Sequence, residues 1–209
     1  MNRGELIREM ADLFGKPKIS VEFLDRTLAK TGVREKTRRG RGAPDVSSAD
    51  IVNLAIGLAS DRTHVGTAEF VREVRRLQLS EPDPSRAAPD NSDPHISIKF
   101  GPEFEALIER APGMSDLIDM EVQLSLTRPE AQVRITRRDG VSMYRFQDPN
   151  SRSDELTFES YVTFSNESLK RLIAIRHGYF EMPYLMAEKP QICENQDDMV
   201  CPAGFEPTT

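Results

Sequence analysis

The chain has no tryptophan, two cysteines, three histidines and four tyrosines among its 209 residues. Each scarcity narrows the possibilities. Cys193 and Cys201 both lie in the last seventeen residues, which is no disulfide framework and fits a reducing compartment. His64, His95 and His177 are scattered, with no paired spacing to either cysteine, so no metal site is expected. No stretch of about 18 apolar residues occurs, and a membrane-spanning helix is not expected. The opening MNRGELIREM is charged and lacks the apolar centre of a secretory signal, so the expected location is the cytoplasm. A glycine-rich phosphate loop, a Gly-x-Ser-x-Gly elbow and a His-Glu-x-x-His motif are all missing. Carboxylates are plentiful, but no pair stands in an apolar setting. Asp116, Asp119 and Glu121 read as a polar face, His177 as a partner for a helix dipole, and Tyr161 as a core residue. Neither an enzymatic activity nor a cofactor is therefore expected.

What the chain does have is an uneven charge. Its balance is −6, yet residues 1–80 hold 15 Lys and Arg against 11 Asp and Glu, a local balance of +4. Residues 81–209 hold 13 against 23, a balance of −10. The overall acidity hides an N-terminal part suited to a polyanion.

The pattern divides at residues 80–94, SEPDPSRAAPDNSDP, where four prolines lie among small and polar residues. Such a stretch has nothing to bury and reads as a solvated linker. Residues 1–79 carry the period of helices. Leu6, Met10, Leu13 and Phe14 form a stripe that Gly15 and Pro17 end. Ser20 is a candidate cap for a second helix bearing Leu24 and Leu28, which stops near Gly32. Ser47, with Asp50 three residues on, opens a third helix buried through Ile51, Leu54, Ala55 and Leu58. Thr67 is a candidate cap for a fourth, with Phe70, Val71, Val74 and Leu77 inward. Four short helices in this length make an all-α bundle of helix-turn-helix size.

Residues 95–180 change period. Met120–Arg128 alternates through Val122, Leu124 and Leu126, and Val133 and Ile135 continue in the next segment. Asp139-Gly140 suggests a tight turn with left-handed residues, with Val141, Met143 and Arg145 on one face beyond it and Tyr144 and Phe146 on the other. Leu156, Phe158, Tyr161, Val162 and Phe164 suggest a further strand. Helices are expected near Pro102–Ala111 and Glu167–His177, the second stopped by Gly178. The overall expectation is an α+β protein: a helical bundle, a Pro/Asp-rich linker, a small α+β domain with an antiparallel meander, and a flexible tail at 181–209.

The segment between the second and third helices, VREKTRRGRGA, places Arg34, Lys36, Arg38, Arg39 and Arg41 in eight residues against Glu35 alone. Gly40 and Gly42 leave the backbone free to follow a surface. Charged runs are commonly plain solvated loops, but this one lies in a net-basic helical unit, where it suits phosphate contact or entry into a minor groove. No aromatic residue interleaves it, so duplex contact is favoured over a single-strand stacking platform. The third helix offers little beyond Asn53 to read bases. The second, with Arg26, Thr27 and Lys30 outward, is the better candidate for a groove.

The tail adds a genomic clue. Gly204-Phe205-Glu206-Pro207 can be encoded as GGA-TTC-GAA-CCN, whose reverse complement looks like the T-arm core of a transfer-RNA gene. Thr208 and Pro207 permit one stem strand, Gly204 and Ala203 its complement, and Pro202, Cys201 and Val200 an acceptor strand, after which Val200 and Met199 can read ACCA. This register resembles a tRNA 3′ end, a habitual attachment site of prophages and other integrative elements. The expectation is a regulator encoded by such an element, binding double-stranded DNA without a cofactor, with a homodimer or a host-protein contact formed by the acidic half. The rival expectation is an inhibitor or antidefence protein that binds a host protein through that half.

Overall fold

The computed structural model describes residues 1–34, 46–60, 62, 64–80, 97–150 and 160–178. Local chemistry sets most helix ends. The first helix, α1 (Arg3–Phe14), starts in a reciprocal cap in which the Asn2 side chain accepts from Glu5 N and Glu5 accepts from Asn2 N. It ends where Gly15 takes a left-handed φ of 60° and donates to the Ala11 carbonyl. The second, α2 (Lys18–Lys30), begins two residues before the expected Ser20 cap. Pro17, at φ −56°, already has the backbone angle of a helix start, so no side-chain cap is needed there. Ser47 and Asp50 form the second reciprocal cap, on α3 (Ser48–Ala59). Thr67 does not cap the fourth helix, α4 (His64–Arg76), but lies inside it, its buried hydroxyl donating to the Arg62 carbonyl at 3.2 Å.

Nine of the twelve residues of α3 are buried. A helix apolar on all sides belongs at the centre of a bundle, and α1, α2 and α4 pack around this one. Gly57 permits a close approach, because a Cβ there would stand 3.0 Å from Leu24 Cδ2 and 3.2 Å from Thr67 Cγ2.

Two further helices and a sheet complete the fold. After α4 come β1 (Gln78–Leu79), α5 (Phe100–Arg110) with a short 3₁₀ turn at Ala111–Gly113, β2 (Leu117–Ser125), β3 (Glu130–Arg137), β4 (Gly140–Gln147), β5 (Tyr161–Phe164) and α6 (Asn166–His177). The sheet order is β1-β4-β3-β2-β5 and every pairing is antiparallel. The architecture is thus mixed helix and sheet, as expected. In the β3–β4 hairpin Arg137 pairs with Gly140, so Arg138 and Asp139 are the loop residues. Gly140 is a strand residue outside the left-handed region, which corrects the turn expected at Asp139-Gly140.

Met120, Val122, Leu124, Val133, Ile135, Tyr144, Phe146 and Phe164 line the inner face of the sheet. A series of ring contacts crosses the molecule there: Phe14–Phe164 at 6.2 Å, Phe164–Phe104 at 5.6 Å, Phe104–Phe100 at 5.7 Å and Phe100–Phe146 at 5.5 Å. Helix α5 packs on α3 and α4, and α6 packs on α1 and α3. The described residues before and after the proline-rich segment therefore share one hydrophobic core. Ser80, the first residue of that segment, is itself paired with the Arg145 carbonyl of β4 at 2.8 Å. Residues 81–94 of the expected linker, Leu156 and Phe158 of the expected strand, and the tail 181–209 lie outside the described residues.

A Cβ at Gly101 would meet Arg75 Cβ at 3.0 Å and the Arg75 backbone oxygen at 3.1 Å, where neither helix can yield cheaply. Gly101→Ala should lower stability by about 1–3 kcal/mol in urea denaturation. Gly113→Ala, where nothing lies within 4 Å, should leave it within about 0.5 kcal/mol of the parent.

Candidate nucleic-acid interface

Three residues, Gly15-Lys16-Pro17, connect α1 to α2, a connection of the length and glycine content used by helix-turn-helix units. Helix α2 has two opposed faces. Val21, Leu24, Asp25 and Leu28 are buried. On the opposite side Ile19, Phe23, Arg26 and Lys30 form one outward line at i, i+4, i+7 and i+11. Ile19 is 76% exposed, Phe23 53% and the Arg26 side chain 77%. Arg26 and Lys30, assigned to nucleic acid from the sequence, thus both face solvent on α2.

Arg34 behaves differently. Its guanidinium donates to Asp25 through Nε at 3.0 Å and Nη2 at 2.8 Å, and its side chain is 10% exposed. Arg34 was expected on phosphates with the other loop cations; instead it faces the bundle, because the buried Asp25 carboxylate needs a bidentate partner. Lys36, Arg38, Arg39 and Arg41 lie outside the described residues. Where the chain re-enters at Val46, its N–H donates to the Met1 carbonyl at 3.4 Å. Both ends of the cationic segment are therefore fastened beside the start of α1.

The Asp25 contact extends into a network. Arg3 reaches Asp25 with Nη2 and Asp50 with Nη1, the latter at 2.8 Å. Burial alone would lower the Arg3 pKa, but the hydrogen bond and charge of Asp25, with the charge of Asp50, raise it above its ordinary value. Burial would likewise raise Asp50, yet the Arg3 charge and the Ser47 N–H hold it below its ordinary range. Sequence reading missed this network. Its one signal was an acid, Asp25, on the same face as Val21, Leu24 and Leu28.

Asn53 is buried, donates to the Val33 carbonyl at 3.4 Å and accepts from Arg75 Nη1 at 3.0 Å. In the acidic half, Arg134 is shared between Glu121 at 2.7 Å and Asp119 at 3.6 Å. Among the described residues no three His, Cys, Asp or Glu side chains converge as they would on a metal ion. Glu109 binds Ser48 and Arg176, and the Ser48 hydrogen bond is the leading reason that its pKa lies below the ordinary range. His177 Nε2 lies 3.1 Å from the Ile108 carbonyl and 3.7 Å from Glu109, joining α6 to α5. Tyr161, expected in the core, is 42% exposed, because the register of β5 turns Val162 and Phe164 inward and Tyr161 outward. A cleft of ≈ 750 Å³ lies between α4 and the β2–β3 turn, but its cations Arg62, Arg72, Arg76 and Arg128 alternate with Glu69, Glu73 and Asp148. Arg62 there stacks over Phe70 at 4.5 Å and donates to the Leu126 carbonyl at 3.2 Å. Compared with protein-family models, curated proteins and solved structures, the chain shows no match.

Two outcomes follow for the network. Arg34→Ala leaves the buried Asp25 carboxylate with one partner fewer, and urea denaturation should show a loss of about 3 kcal/mol. Asp50 has a lowered folded-state pKa, so its contribution is fully present above its ordinary 3.8 and is lost as pH falls through the folded value. The denaturation midpoint should therefore fall as the pH drops below about 3.8, and less steeply in Asp50→Asn, which starts less stable at neutral pH.

Proposed function

We propose that this protein binds double-stranded DNA, with α2 against a groove and the cationic segment after it on phosphates, and that it regulates genes of an integrated element. The observation that carries the reading is the outward line of α2, whose Arg26 and Lys30 lead along the chain to Lys36, Arg38, Arg39 and Arg41. An α-helix fits the major groove, and arginines near glycines suit backbone contact. Arg34 serves this reading as an anchor: paired with Asp25, it fixes where the segment leaves α2. The antisense tRNA register of residues 199–209 supports the assignment to an integrated element. The acidic half is assigned to self-association or a protein partner, and a dimer would set two copies of α2 about 34 Å apart on a twofold-symmetric site.

The test uses the full chain, because the helices share their core with the sheet. Binding to duplex DNA from the gene's own upstream region is followed by fluorescence anisotropy across a salt series. The parent should bind with a steep salt dependence. A variant with Lys36, Arg38, Arg39 and Arg41 changed to Ala, and Arg34 retained, should lose up to about 3–4 units of the log–log slope. No binding at low salt, or an unchanged slope in the variant, would sink the reading. Tight capture of a host protein without DNA binding would favour inhibition instead.

A further inference from the structure

The outward line of α2 is divided along its length: Ile19 and Phe23 come first, Arg26 and Lys30 second. A single exposed apolar side chain needs no explanation. Here two stand on successive turns of one outward line, beside charged residues that are mostly cationic. Lys16 and Lys18 are exposed at the helix start. The acid nearest the line, Glu22, is flanked by Lys18 at 4.0 Å and Arg26 at 3.5 Å. Asp25, the other acid of α2, faces inward to Arg3 and Arg34. The surface is thus an apolar strip set in positive charge, complementary to a polyanion that also carries apolar groups.

On duplex DNA one group meets that description. The thymine 5-methyl is the apolar feature of the base edges in the major groove, which is wide enough for a helix. In helix-turn-helix docking the N-terminal half of the second helix approaches the bases, while flanking cations meet the backbone. Ile19 and Phe23 lie in that half of α2, and Arg26 and Lys30 lie beyond them.

We infer that Ile19 and Phe23 are the specificity-determining residues of α2 and that they recognise thymine methyl groups in the major groove. The inference rests on the DNA-binding reading above. It assigns sequence preference to two apolar side chains and leaves affinity to the cations.

The experiment replaces thymine by deoxyuridine, position by position, in a duplex selected by the full-length protein from a random pool. This removes the methyl and leaves the hydrogen-bonding edge intact. At one or two positions the substitution should weaken the parent about fourfold per methyl, the effect of withdrawing one buried carbon. Phe23→Ala and Ile19→Ala should bind the thymine duplex more weakly by a similar factor and should no longer distinguish it from the uracil duplex. Their salt slopes should match that of the parent. Thermal melts confirm that each variant is folded. A parent that binds thymine and uracil duplexes equally overturns this inference and leaves DNA binding standing. So does a Phe23→Ala, Ile19→Ala double variant that keeps the parent's preference. Absence of any DNA binding overturns both.

Discussion

Asp25 faces inward from α2 among Val21, Leu24 and Leu28, and its carboxylate is answered by two guanidinium groups, those of Arg3 and Arg34. Removing ions from water costs several kcal/mol each, and the cost is recovered only where partners are well placed. Here the charges alternate: Arg34, Asp25, Arg3, then Asp50 at the cap of α3. The arrangement is neutral as a whole and joins four pieces of chain: the start of α1, the middle of α2, the start of α3, and the residues that follow α2. The orientation of the outer line of α2 depends on it, because Asp25 is the buried counterpart of Arg26 and fixes which side of the helix is turned in.

The rest of the fold is built outward from α3. Its apolar surface accepts helices from both sides of the proline-rich segment, and the phenylalanine contacts from Phe14 to Phe146 carry that packing through to the sheet. Polar ties reinforce the same junctions. Arg75 joins α4 to Asn53 of α3 and to Glu105 of α5, and Glu109 joins α5 to Ser48 of α3 and Arg176 of α6. Glu103, fully buried on α5, accepts from Ser97 N and from Arg110, both at 2.7 Å, so this acid too enters the interior only with donors in place.

Much of this was legible because helices and strands announce themselves by period. The stripe ending at Phe14, the Ser47–Asp50 cap and the alternation through Val122, Leu124 and Val133 each translate directly into an element. Boundaries were less legible where two chemistries compete. Ser20 and Thr67 are good caps in isolation, but Pro17 starts α2 earlier, and Thr67 lies within α4 with its hydroxyl donating back to the Arg62 carbonyl ahead of the helix. Asp139-Gly140 resembles a turn pair, yet strand register moves the loop one residue back. The short β1 carries no period of its own and exists through its pairing with β4. Of the proposed interface, the placement of Arg26 and Lys30 could be read from spacing, since both fall opposite the apolar stripe. The inward turn of Arg34 could not, because it depends on a carboxylate nine residues away in sequence.

The fastening of the cationic segment at Arg34 and Val46 has an evolutionary consequence. At Val46 the tie runs from a backbone N–H to the Met1 carbonyl, so it survives any exchange of side chain that keeps the N–H. At Arg34 the tie is a side-chain ion pair, and losing either member leaves the other's buried charge with a partner fewer. One fastening is therefore indifferent to sequence drift, while the other requires Arg34 and Asp25 to change together.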